Sequence, residues 1–113
     1  MLYLIKAEAT GSIAVGMSPD EMVSFMENVV LPSYKMLVEG DRNKKYTGGQ
    51  IAGQRAWAII ADFPNHEEAN KWVTSIPYWA YYTVKIMPLV SFQNQTDAAN
   101  KMVQDIKARQ KKQ

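Results

Sequence analysis

An α+β domain with four strands and three helices is what this sequence predicts. Three observations lead there. Four short segments are apolar and bounded by Gly, Pro, Ser or Asn, as strands are. Three other segments carry apolar residues at helical spacing behind capping residues. The two kinds follow one another as β-α-β-β-α-β-α.

The first strand runs from Leu2 to Ala9 and stops at Thr10-Gly11-Ser12. Tyr3, Ile5 and Ala7 share one face of it, and Leu4, Lys6 and Glu8 the other. A loop of small residues leads to Met17. Ser18-Pro19-Asp20-Glu21 then reads as a helix start, with Ser18 as N-cap, Pro19 in the first turn and Glu21 closing a capping box. Met22, Phe25, Met26, Val29, Ser33, Met36 and Leu37 recur at helical spacing. Pro32 lacks an N–H, so a kink or a split is expected there, and Gly40 is expected to end the helix.

Residues 46–51 form a short second strand, in which Gly48-Gly49 implies an edge or a bulge. Gly53 allows a turn. Residues 55–63 are apolar on both faces, as in a central strand covered on both sides. Asn65 caps a second helix whose buried stripe is Ala69, Trp72, Val73 and Ile76, and Pro77 ends it. Residues 81–92 read as the fourth strand, with Pro88 marking an edge or a bulge. Thr96-Asp97 is expected to cap a last helix carrying Ala98, Met102, Val103 and Ile106.

The first six elements are the ferredoxin-like split βαβ plan, spanning residues 1–95, and residues 96–113 add an amphipathic helix with a basic end. Both internal helices must pack on one face of a four-stranded antiparallel sheet. The other face then carries Trp57 or Ile60, Val84 or Met87, and Leu4 or Ile5, and it needs cover. A second copy packed sheet to sheet would supply that cover, with the last helix clasping it.

Composition removes options. The 113 residues suffice for one core. There is no cysteine, which excludes disulfides, thiolate metal sites and cysteine nucleophiles. Residues 1–100 hold 8 basic and 10 acidic groups, while residues 101–113 hold 5 basic and 1 acidic. The excess positive charge thus belongs to the end of the chain, and no nucleic-acid partner is expected of the domain. No apolar run reaches the roughly 20 residues of a membrane span. The first residues do not read as a signal peptide, so a cytoplasmic location is expected and a membrane partner is not. One histidine and no cysteine make a metal site unexpected, and no phosphate-binding glycine loop occurs.

The layout from Gly53 to Asp97 carries a likeness. Gly53 precedes a central strand, a short acidic helix follows, and Ser75-Ile76-Pro77-Tyr78-Trp79-Ala80-Tyr81 leads into the last strand. This pattern resembles the muconolactone isomerase-like branch of the dimeric α+β barrel superfamily. The resemblance implies a ferredoxin-like subunit, a homodimer or a ring of dimers, and a small-ligand pocket between sheet and helices. The sequence departs from that family at residues 28–32, which are apolar and broken by Pro32 where the family's first helix is rich in charge.

Chemistry of that kind takes a proton from carbon beside a carbonyl, which needs a base and a donor for the oxyanion. Glu8 and Lys6 point to one side of the first strand, and Lys85 on the last strand can neighbour them. A structural cross-strand ion pair is the alternative, contributing at most about 1 kcal/mol. His66 opens the second helix, where it is either a neutral acid–base group or an exposed first-turn residue. Tyr78, Trp79, Tyr81 and Tyr82, with Met26 from the first helix, can line a pocket for a flat apolar ligand or fill the core. Trp57 and Trp72 could join that lining, and core packing is the preferred reading of both. Asp62 either caps the turn before the second helix or faces a pocket mouth.

Two functions follow as expectations. The first is an isomerase-, cyclase- or monooxygenase-like enzyme that uses no cofactor and acts on a small cyclic or aromatic carbonyl compound. The second is a non-catalytic dimeric barrel that binds a small hydrophobic ligand or serves as an accessory subunit.

Overall fold

A computed structural model describes residues 1–10 and 16–111. The expected loop around residues 11–15 lies outside the described residues. Strand β1 spans Leu2–Ala9, helix α1 Pro19–Phe25, helix α2 Leu31–Arg42, strand β2 Tyr46–Gln50 and strand β3 Ala56–Asp62. Helix α3 spans His66–Thr74, strand β4 Tyr82–Pro88 and helix α4 Phe92–Lys111. The strands form one sheet in the order β2-β3-β1-β4, antiparallel at every step. This is the ferredoxin-like α+β arrangement. The proline and the glycine pair both sit in edge strands, as their missing donor and missing side chains require.

The register divides the sheet into two faces. Tyr3, Ile5, Ala7, Trp57, Ile59 and Ala61 lie on the helix side and are buried. With Tyr46, Ala69, Val73, Ile76 and Tyr78 they make the core. Leu4, Ile60 and Met87 share the opposite face, so of the residues left open by the sequence these three face outward. Leu2 and Ile60 are 50% and 44% exposed there.

Helix starts follow their caps. Ser18 Oγ accepts from Glu21 N–H, and Asn65 Oδ1 accepts from Glu68 N–H at 2.9 Å. The interruption expected near Pro32 takes the form of a π-turn that divides the helix into α1 and α2. Met26–Val30 forms this turn, and Leu31 N–H donates to Met26 O, one residue further back than in an α-helix. Widening this turn relieves the clash between a proline ring and the carbonyl one α-turn earlier.

Gly40 does not end α2 either. It sits inside the helix because a Cβ there would collide with the Tyr46 ring. The helix ends two residues later. Lys44 takes φ 57°, Lys45 N–H donates to Gly40 O at 2.9 Å and Lys44 N–H to Asp41 O at 3.0 Å. This is a Schellman termination with lysine where glycine is usual. A Lys44→Gly protein should therefore gain about 1 kcal/mol of stability, read as a raised denaturant midpoint.

The fourth strand ends at Pro88, and α4 begins at Phe92 rather than Thr96. Ser91 is the cap: its Oγ accepts from Asn94 N–H at 3.0 Å and its carbonyl from Gln95 N–H. Thr96 instead donates back to the Phe92 carbonyl at 2.8 Å. Every described residue of α4 is exposed, Phe92 at 94%. A helix of 20 residues reaches about 30 Å. Its projection explains a molecule 76 Å long but only 30 × 26 Å across. No helix among the described residues is long and apolar enough to cross a membrane.

Candidate functional site

Two cavities of about 180 Å³ each lie between the helices and the sheet. One sits under α1 and the π-turn, walled by Met22, Phe25, Met26 and Val30 from above and by Tyr78 and Tyr82 from the sheet end. Arg55 is the charged side chain on that wall. The other sits between α2 and the β2 edge, beside Tyr34, Tyr46, Trp57 and Ile59, with Asp41 on its wall.

The two cavities meet a shared aromatic cluster. Tyr78 and Tyr82 stack with centroids 4.4 Å apart, and Tyr34 meets Tyr78 edge-on at 5.9 Å. Tyr78 comes from the turn before the short 3₁₀ segment Trp79–Tyr81, which swings the chain from α3 into β4. Its place is fixed by Ser33, a fully buried residue of α2. Ser33 Oγ donates to Val29 O at 2.7 Å and accepts from Tyr78 N–H at 3.2 Å.

The cluster has unfilled hydrogen-bonding capacity. The Tyr78 hydroxyl and the Trp57 indole N–H are buried and neither makes a hydrogen bond of good geometry, although the indole N–H is near enough to the Tyr78 oxygen to oppose the rise of its pKa. Burial pushes the Tyr78 phenol well above the usual range, and the neighbouring Tyr82 and Tyr34 phenols add to this. Tyr82 is also pushed up, by burial first and then by Tyr34, with the Tyr78 hydroxyl and then Arg55 opposing. Both phenols therefore stay protonated at neutral pH and serve as donors rather than bases. Beyond the cluster, burial and Asp41 push Tyr46 up to about 12, and its hydroxyl bonds to the Leu37 carbonyl.

These shifts have a sign in stability. A phenol whose folded-state pKa is raised above 10 stabilises the fold fully below pH 10. That contribution is lost as pH rises from 10 through about 12. Denaturant midpoints measured across this window should fall steadily, and a Tyr46→Phe protein should show a shallower fall.

The residues expected from the sequence separate into three places. Met26, Tyr78 and Tyr82 come together on one cavity wall. Trp79 and Tyr81 are exposed beside it, Tyr81 packing edge-on against Phe25 with centroids 5.1 Å apart. Lys6, Glu8 and Lys85 share the sheet face away from the helices. Lys6 lies directly across from Lys85, and Glu8 across from Thr83. Glu8 forms no ion pair with either lysine, since like charges face each other and the acid sits one step along.

His66 occupies the far end of the sheet. Its Nδ1 and the Tyr3 hydroxyl share a hydrogen bond of 2.7 Å. Tyr3 lies six residues from Ala9, which pairs with Tyr82, so roughly 20 Å of strand separates His66 from the phenol cluster. Asp62 accepts from the Met1 amino group at 2.7 Å at the surface, while Asn65 does the capping. Sequence reasoning missed Tyr34, Ser33 and Arg55, and of the two roles open to Trp57, pocket wall or core, it preferred core. Trp57 is indeed 3% exposed. Ser33, a polar residue on an otherwise apolar helical stripe, was the one signal that could have been followed.

The chain shares the fold of muconolactone isomerase. The crystal structure of that enzyme superposes with a TM-score of 0.63 over 80% of this chain and 90% of the other, at 18% identity. At that identity the likeness is one of fold. No protein-family model and no curated protein matches the sequence.

Proposed function

We propose that the protein is a cofactor-independent enzyme of the dimeric α+β barrel type. It would act on a small cyclic or aromatic carbonyl compound by proton transfer, as in isomerisation, cyclisation or oxygenation. The observation that carries this reading is the stacked Tyr78–Tyr82 phenol pair with Arg55 on the wall of a small, largely apolar cavity between sheet and helices. Donors held in a dry cavity stabilise an oxyanion with little reorganisation. The isomerase likeness supports a fold able to house such a site.

The dimer belongs to the same proposal. Leu2, Leu4, Ile60 and Met87 form an apolar area on the uncovered sheet face, and the exposed α4 projects beyond the domain. A second copy packed there would also shield Lys6, Glu8 and Lys85 from water. That shielding is the condition under which these three would serve as acid–base groups. Location in the cytoplasm is part of the same proposal.

One observation favours a second reading, a barrel that binds a hydrophobic ligand without changing it. Lys6, Glu8, Lys85 and His66 line neither cavity. One experiment separates the two. Small cyclic enones, lactones and hydroxyquinones are incubated with the protein in deuterium oxide, and α-proton exchange is followed by NMR. Exchange that the protein accelerates supports the enzyme. Saturable binding with exchange at the uncatalysed rate rejects it in favour of the binding barrel. Native mass spectrometry of the same sample should give a dimer or a multiple of dimers, and a clean monomer would end the dimer proposal.

A further inference from the structure

We propose that the cavity between α2 and the β2 edge binds a small organic cation, a protonated amine carrying one ring or a short alkyl chain. The site is separate from the cavity under α1 and does not depend on what that one binds.

Three aromatic side chains, Tyr34, Tyr46 and Trp57, stand on its wall. They come from α2, β2 and β3, so the space between them exists only in the folded sheet. Each is held by a ring that does not line the cavity. Tyr34 meets Tyr78 edge-on with centroids 5.9 Å apart, and Tyr46 and Trp57 meet Trp72 at 5.4 Å and 6.4 Å. Aromatic rings attract a cation through their electron-rich faces.

Charge selects the same ligand. Asp41 is the one charged side chain among the described residues of that wall. Arg42, Lys44 and Lys45 follow it in the chain, and none of them lines the cavity. Asp41 forms no ion pair among the described residues. Its charge is felt inside the site, because it adds to burial in holding the Tyr46 phenol protonated. It also stands in the last turn of α2, where the helix macrodipole has its negative end. An anion is repelled by this arrangement. A neutral ring gains nothing from Asp41. A cation gains from both the acid and the rings.

Volume limits the size. The cavity holds about 180 Å³. An apolar cavity of about 150 Å³ accommodates benzene. One ring bearing an aminomethyl group therefore fits. Gly48 and Gly49 line the cavity at the edge of the sheet, and neither adds a side chain that would fill it.

The test is titration calorimetry with three probes of one shape, benzylammonium, benzyl alcohol and benzoate. The wild type should bind benzylammonium about tenfold or more tighter than benzyl alcohol, and benzoate weakest of the three. Asp41→Asn should weaken benzylammonium about tenfold and leave benzyl alcohol unchanged. Added salt should weaken the cation on the wild type and have little effect on Asp41→Asn. Glu39→Gln removes an exposed acid of the same helix that is off the cavity wall, and it should change none of these affinities.

Tyr34→Leu should cost the cation more affinity than the alcohol, since it removes a ring face and keeps an apolar side chain. That variant also removes packing. Asp41→Asn therefore carries the test, because Asp41 is exposed and its loss should leave Tm close to that of the wild type. Equal affinities for benzylammonium and benzyl alcohol would overturn the proposal. So would an Asp41→Asn protein that binds the cation as the wild type does, or a wild type that binds none of the probes. Proton exchange in cyclic carbonyl compounds reads the cavity under α1 instead, so the two readings fail separately.

Discussion

Gly48→Ala is expected to cost roughly 3 kcal/mol or more, whereas Gly49→Ala beside it should be neutral or stabilising by up to about 1 kcal/mol. The two glycines differ only in what surrounds them. A Cβ on Gly48 would collide with the Ala58 carbonyl oxygen and lie 2.6 Å from Ile59 Cα and 2.9 Å from the Ala58 carbonyl carbon. These are backbone atoms of the neighbouring strand, so no side chain can turn aside. A Cβ on Gly49 meets nothing within 4 Å. Alanine there only restricts the unfolded chain and favours the strand. For a domain of this size each kcal/mol moves Tm by about 4–8 °C, so paired melting curves give a clear difference of opposite sign. Equal melting temperatures for the two variants would mean that β2 and β3 do not approach as closely as described. Loss of β2 pairing would also open the cavity beside Trp57, because Gly48 lies on its wall.

Ser33→Ala should destabilise the protein by about 1–3 kcal/mol and loosen the site together. Ser33 is fully buried, and its oxygen is the acceptor for the Tyr78 N–H. Alanine leaves that N–H buried without a partner, and the full desolvation cost of the donor appears. Nothing else among the observed hydrogen bonds takes the Tyr78 N–H. Two measurements check the argument. Denaturant unfolding should show the lower midpoint with an unchanged slope, since the same surface is exposed. Amide exchange at Tyr78 should speed up by more than the global loss of stability explains, because the anchor of that turn is gone. A variant as stable as the wild type, with Tyr78 equally protected, would remove Ser33 from the positioning of the cluster.

Most of the fold was legible because its signals are local. Ser18 and Asn65 announce helix starts through their own side chains. Alternation in Leu2–Ala9 states which residues share a face, and the register confirms it residue by residue. Gly53 takes φ 73° in the turn before β3, where a side chain is disfavoured. The misreadings have non-local causes. Gly40 looked like a terminator, but its small size serves Tyr46, six residues on and across the core. Thr96 looked like a cap, but Ser91 reached the free N–H groups first.

The candidate site was legible only in part, and for the same kind of reason. Tyr78, Tyr82 and Met26 were expected on one wall and stand there. Tyr34 and Arg55 were not, because they come from α2 and the turn before β3 and nothing in their immediate neighbours marks them, while Ser33 was marked only by being polar on an apolar stripe. Lys6, Glu8 and Lys85 do share a face, as the strand period requires, yet that face turns away from the helices.

The sequence by itself determined the order of the elements, the four-stranded plan, and which residues of each strand travel together. Those follow from side-chain period and from turn and cap chemistry, which act within a few residues. Only the tertiary structure decided which sheet face the helices cover. It alone decided that Ser33 anchors Tyr78 across 45 residues and that two buried donors end without a hydrogen bond of good geometry. Such facts depend on where elements distant in the chain come to rest, and that is a matter of packing.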